Sequence, residues 1–130
     1  MQITRFFATP AGGSRFEDLV IAWPDAHADA FGHLLAFTRS FAADCVLVTL
    51  PAALDQDWHN APDRQLVAVL GGQLEVTTSD GARRQWGPGG LFLADDTVGR
   101  GHRTRVLEGP ARLLFVRLGA DFDLTLLGHA

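Results

Sequence analysis

Lysine and tyrosine are absent from this chain, cysteine occurs once, at Cys45, and no apolar run approaches the length of a membrane span. Each absence closes off some chemistry. Without lysine there is no amine for Schiff-base catalysis and no Walker-type phosphate loop. Without tyrosine no phenol can serve as a general acid. A single cysteine leaves no internal disulfide and no paired-thiolate metal clip. Its setting in the apolar run Cys45-Val46-Leu47-Val48 points to a buried, inert thiol. A bilayer span needs about 20 apolar residues, and the N-terminal stretch has no basic start followed by an apolar segment. A soluble cytoplasmic protein is therefore expected. The formal charge of −4 is mixed along the chain with no block of one sign, which argues against nucleic acid or an acidic membrane as partner.

What is present is enough for a packed core. Apolar residues make up 47% of the chain, too many for a disordered segment, and a length of 130 residues suits one domain spanning 1–130. Glycine and proline cut the sequence into short segments, the pattern of an all-β chain with many short strands. The expected strands are Gln2–Ala8, Asp18–Ala22, Cys45–Leu50, Gln65–Leu70, Gln73–Thr78, Arg83–Trp86, Leu91–Ala94, His102–Leu107 and Arg112–Leu118. Gly71-Gly72 sits between two β-rich runs and reads as a tight hairpin, because both residues tolerate positive φ. Further breaks fall at Ser79-Asp80-Gly81 and Gly87-Pro88-Gly89-Gly90, giving the turn spacing of about 8–12 residues expected of a sandwich or barrel. Residues 24–43 are less regular: Pro24-Asp25 ahead of AHADAFGHLLAF reads as a short helix capped by Asp25, or as an ordered loop.

Alternation orients one strand. In His102-Arg103-Thr104-Arg105-Val106 the two arginines share a face that suits solvent, so His102, Thr104 and Val106 point inward. Val67, Val69, Leu74, Val76, Leu91, Leu93, Val106, Leu113 and Phe115 are the expected core or pocket wall. The run Leu113–Val116 is apolar on both faces and asks for cover on both sides, as from a second subunit.

The stretch from Trp58 to Val106 carries the most information. It holds WHNAPDRQLVAVLGG, then a variable hairpin, then GPGGLFLADDTVGRGHRTRV. Gly72 follows Gln65 after six intervening residues, His59 precedes Gln65, and Gly99-x-x-His102 closes the second half. This pattern resembles the two motifs of the cupin superfamily in degraded form. The first of those motifs has two histidines one residue apart, a glutamate three or four residues on, and a glycine after six more. The second has a Pro-x-Gly-x-x-His core. The resemblance places His59 at the first histidine, Ala61 at the second, Gln65 at the glutamate and His102 at the final histidine. Thr97 stands where proline is usual, and Gly90 is one residue out of register. The resemblance implies a single-domain cupin jelly-roll β-barrel with its motif core at about 58–106, a homodimer, and a small-molecule ligand or substrate inside the barrel.

Two chemistries are open. His59 and His102 can bind one divalent ion (iron, manganese, nickel or zinc), with Gln65 as a weak third ligand, and Asp96, Asp57 or Asp63 can complete the set. Alternatively no metal binds, and His102, oriented by Asp96, moves protons with His59 across the pocket. Some cupins, sugar epimerases among them, use a histidine base without a catalytic metal; they pair it with a tyrosine acid, which this chain lacks. The residues also have plain structural readings. Gln65 can satisfy backbone groups in the barrel, and Asp95-Asp96 can be turn residues. Arg64 reads as a salt-bridge partner and Trp58 and Trp86 as rim or core packing. His27, His33 and His129 read as surface or loop residues. A non-catalytic ligand-binding barrel is the alternative to an enzyme.

Overall fold

A computed structural model describes residues 1–129. Alternating burial builds its strands: β1 (Gln2–Ala8), β2 (Ser14–Ile21), β3 (Asp25–Ala28), β4 (Leu34–Phe37), β5 (Asp44–Leu50), β6 (Asp55–His59), β7 (Arg64–Thr78), β8 (Arg83–Trp86), β9 (Leu91–Asp95), β10 (His102–Leu118) and β11 (Gly128–His129). Among the described residues there is no α-helix, only a 3₁₀ turn at Leu124–Leu126. The main sheet runs β11-β2-β1-β9-β7-β10-β5, with β6 added to β10 and β8 to β7. Its pairs are antiparallel except β1 with β9.

Two long strands turn this sheet into a barrel. The first half of β7 pairs with β9 and its second half with β8. β10 pairs first with β6, then with β5. The corner lies where the β7–β10 register shifts, at Gly71–Gln73 opposite Glu108–Arg112. Gly71-Gly72 is therefore not the hairpin expected from the sequence, since β7 runs straight through it. Gly72 has φ +75°, and a Cβ there would lie 2.6 Å from the Glu108 carbonyl oxygen and 2.8 Å from the Ala111 Cα. Positive φ and close backbone approach serve a strand bend here rather than a chain reversal.

Residues 24–43 also depart from expectation. They hold the β3–β4 hairpin, not a helix. Asp29 Oδ1 accepts from the backbone N–H groups of Phe31 (2.8 Å) and His33 (2.9 Å), and Gly32 takes φ +85°. Asp and Gly, which weaken a helix, supply this turn directly. Hydrogen bonding from the His33 side chain, then from its backbone N–H, holds the Asp29 carboxyl below its ordinary value. Cys45 is likewise corrected from buried to exposed. β5 is an edge strand whose inner face carries Val46, Val48 and Leu50, so Cys45, Leu47 and Thr49 face outward.

Two apolar clusters result. One lies inside the barrel and contains Phe6, Val67, Val69, Leu74, Val76, Phe92, Val106 and Leu113. The other, on the opposite face of β1 and β9, contains Ile3, Leu19, Ile21, Leu93, Leu118 and Leu127, with Leu91 and Val116 against it. Leu91 and Leu93 thus face away from the interior, and Phe92 and Ala94 take the inward positions of β9. Cover for the second face of β10 comes at least partly from the chain itself, through the cluster that contains Leu118 and Leu127.

Candidate functional site

His59 and His102 come together because of strand register. They are directly opposed on β6 and β10, and directly opposed residues of an antiparallel pair share a face. Their ring centroids are 4.4 Å apart at 55°. His102 is 6% exposed, with Arg103 and Arg105 on the outer face, as the alternation predicted. Phe6 of β1 packs against the His102 ring with centroids 4.7 Å apart.

Asp96 is fully buried, at 0% exposure, and its Oδ2 lies 2.5 Å from His102 Nδ1. Its Oδ1 accepts, at 3.4 Å, from the Ala61 N–H. A turn-only role for Asp96 is thus replaced by a buried pairing. His59 Nδ1 lies 2.7 Å from the Asp57 carbonyl oxygen. Carboxylate and carbonyl oxygens only accept, so both Nδ1 atoms carry the hydrogen, and in the neutral ring Nε2 is the nitrogen that keeps the lone pair. The loop from Asp96 to Gly101 is fixed from two sides. The Asn60 side-chain amide donates to the carbonyls of Asp96 (3.2 Å) and Gly99 (3.0 Å), and the Ser14 hydroxyl donates to the Gly101 carbonyl (2.6 Å).

A cavity of about 410 Å³ lies within the barrel, walled in part by the interior apolar cluster. His59, His102, Gln65, Thr104, Gln56 and Asn60 supply its polar groups, and Phe6, Leu50, Val67, Leu74, Val76, Phe92, Leu113 and Phe115 much of its apolar wall. Gln65 is 5% exposed, and no protein donor reaches its buried Oε1.

Of the sequence-derived candidates, His59, His102 and Gln65 share this cavity. Asp96 stands behind His102 as its hydrogen-bond partner rather than in the wall. Asp57 and Asp63 are exposed and outside the lining. Ala61 lines the cavity at the position of the missing histidine. Arg64 forms the expected salt bridge, to Asp95 at 2.8 Å, and Asp95 also pairs with Arg5. Trp58 is exposed, Trp86 packs on Phe92, and His27, His33 and His129 lie at the surface. Sequence reasoning missed Phe6, Asn60 and Ser14. Nothing local marks them, because each contact joins segments far apart in the chain.

The donor set fits a resident divalent ion poorly. Structural and catalytic zinc sites use at least three imidazole, thiolate or carboxylate ligands, and iron(II) sites two histidines with a carboxylate. Among the described residues no group of three His, Cys, Asp or Glu side chains is disposed to hold a metal. The nearest carboxylate, Asp96, is committed to His102 and the Ala61 N–H.

No protein-family model matches the chain, and no curated protein does either. Solved structures do. The cupin domain of Cnp3 from Schizosaccharomyces pombe superposes with a TM-score of 0.50 at 14% identity, covering 95% of this chain and 91% of that one. A protein from Neisseria meningitidis gives a TM-score of 0.48 at 17% identity over 76% of this chain and 89% of its own. A conserved protein of unknown function from Streptococcus pyogenes gives 0.46 at 19% identity over 61% and 67%. The chain is an all-β jelly-roll barrel with a cupin-like fold.

Proposed function

We propose that the cavity binds a small organic molecule and that His102, oriented by Asp96, moves a proton on it without a metal. The observation that carries this reading is the 2.5 Å contact of the buried Asp96 carboxylate with His102 Nδ1, on a ring whose other side belongs to the cavity wall. The carboxylate fixes the ring's orientation and tautomer and stabilises the imidazolium formed when Nε2 takes a proton. His102 then returns the proton at a second position of the bound molecule. His59, with its Nδ1–H engaged by the Asp57 carbonyl, offers a second lone pair beside the reacting group. This is the chemistry of an isomerase or lyase acting next to a carbonyl.

Deuterium uptake tests it directly. In D2O the protein should accelerate exchange of the α-hydrogens of the probe ketones cyclohexanone and 4-fluoroacetophenone, followed by NMR. His102→Asn should abolish the acceleration, and Asp96→Asn should cut it about 100-fold or more. Ketones that bind in the cavity without exchanging would make this a non-catalytic binding barrel. Exchange that survives His102→Asn would remove His102 from the chemistry.

A further inference from the structure

Strand register also builds a second concave site, on the outside of the barrel. On β7, Val76 lines the inner cavity, so its neighbours Glu75 and Thr77 point to the opposite face. Arg103 of β10 lies opposite Thr77, and Thr77 lies opposite Arg83 of β8. Opposed residues share a face, so two guanidinium groups flank one hydroxyl across three adjacent strands. In the next row Arg105, Glu75 and Gln85 are aligned in the same way. Trp58 lies between Gln56 and His59, which oppose Thr104 and His102, and so stands beside Arg103 at the end of the first row. The groove these side chains enclose measures about 280 Å³, and Trp58 is 45% exposed at its rim.

The charges in this groove are unequally committed. Glu75 is buried and engaged on both oxygens, by Arg105 at 3.2 Å and by the Gln85 amide at 2.9 Å. It therefore holds Arg105 at the floor. Arg103 meets Asp55 through one nitrogen at 3.4 Å, with both side chains about half exposed, so most of its five N–H donors are free. Among the described residues Arg83 has no carboxylate partner. Three arginines against two carboxylates leave this groove positive on a chain of formal charge −4. We infer that the groove binds a phosphate monoester that carries an aromatic ring, the chemistry of a nucleoside monophosphate. Arg83 and Arg103 approach the phosphate from either side and the Thr77 hydroxyl donates between them. Three donor groups on three strands suit the three terminal oxygens of a phosphate better than the two of a carboxylate. The ring stacks on Trp58, a contact open to any base. A single nucleotide matches the groove's size, and the net negative charge of the chain offers no extended path for a polymer. The site is separate from the inner cavity and does not depend on the chemistry proposed there.

Titrations at low ionic strength with adenosine monophosphate, adenosine and inorganic phosphate test it, followed by tryptophan fluorescence and by NMR. The monophosphate should bind about tenfold or more tightly than either fragment and should quench Trp58. Arg83→Gln strands no carboxylate and should leave the fold intact. It should weaken monophosphate binding about tenfold while adenosine binding is unchanged. Trp58→Leu should weaken monophosphate and adenosine alike and leave phosphate binding as it was. In the unmodified protein the Arg83 side-chain and Thr77 backbone resonances should shift with the monophosphate while those of His102 stay, a readout independent of how any variant folds. No binding of the monophosphate, binding no tighter than that of phosphate or adenosine, affinity that survives Arg83→Gln, or shifts confined to the inner cavity would overturn the inference. A deoxyadenylate octamer that binds more tightly than its number of nucleotides accounts for would overturn it too, and make the groove part of a single-strand path.

Discussion

Removing the His102 imidazole leaves the Asp96 carboxylate at 0% exposure with only the long contact to the Ala61 N–H. Removing Asp96 leaves a buried imidazole N–H without its acceptor. Breaking a buried pair from one side costs about 3–5 kcal/mol, whereas removing both partners leaves no stranded charge. His102→Ala and Asp96→Ala should therefore each destabilise by about 3 kcal/mol, and the double variant should lose at least ~1 kcal/mol less than the sum. Urea denaturation of the four proteins measures this, and additive losses would mean that the two groups are not coupled. How much of this pairing the sequence discloses depends on the residue. The inward face of His102 is legible because Arg103 and Arg105 cannot share it. Asp96 is legible only as a neighbour, since Asp next to a turn has a commoner explanation. Phe6 is illegible: its contact with His102 requires β1 to lie beside β9, which no local pattern encodes. Gln65 could be placed in the barrel from its spacing to Gly72, but its lack of a protein partner is a property of packing alone.

The opposed histidines depend on Gly101, the first link between the Asp96 loop and β10. It has φ +76°, and a Cβ there would collide with the backbone carbonyl of His59. Gly101→Ala meets two obstacles, a left-handed backbone that disfavours L side chains and a rigid backbone neighbour that must move. A loss of about 3 kcal/mol or more is expected. Because the obstructing atom belongs to His59, a nuclear Overhauser contact between the two imidazoles should also weaken or vanish. A variant of unchanged stability with that contact intact would show that β6 does not depend on Gly101. The β3–β4 hairpin is the opposite kind of element, exposed at every strand residue and paired in its own two-stranded sheet. Isolated two-stranded hairpins are marginal in water, so its amides should exchange fast while those of β7, β9 and β10 are protected for far longer. Protection of residues 25–37 equal to the barrel's would mean that something else covers them. Both elements misread from sequence fail for one reason. Glycine and aspartate announce an irregular backbone without saying whether the chain reverses, bends or caps a helix. At Gly71-Gly72 and at Asp29–Gly32 only the pairing partner decides.

At the scale of the whole molecule, the barrel has a cupin-like fold, and its interior brings together His59, His102 and Gln65 but no third imidazole or carboxylate. The long bent strands β7 and β10 were legible as β-rich runs, and the resemblance of the Trp58–Val106 stretch supplied the way they close. Whether the interior can hold a metal was not legible, because it depends on which carboxylates point inward, and none of Asp57, Asp63 and Asp96 lines the cavity. That geometry makes a prediction. The purified protein should carry no stoichiometric iron, manganese, nickel or zinc, and adding any of them should leave its melting temperature unchanged. A site occupied at 100 times its dissociation constant would add about 2.7 kcal/mol, a rise of several degrees for a chain of this size. A fuller ligand set can be built in. Ala61 and Gln65 both line the cavity, so Ala61→His with Gln65→Glu offers a third imidazole and a carboxylate beside His59 and His102, a set that meets the ligand requirement of zinc or iron(II). The double variant should gain metal-dependent stabilisation that the natural sequence lacks, and His102→Ala in that background should remove it. Stoichiometric metal in the natural protein, lost on His59→Ala or His102→Ala, would instead mean that two imidazoles and the Gln65 amide suffice.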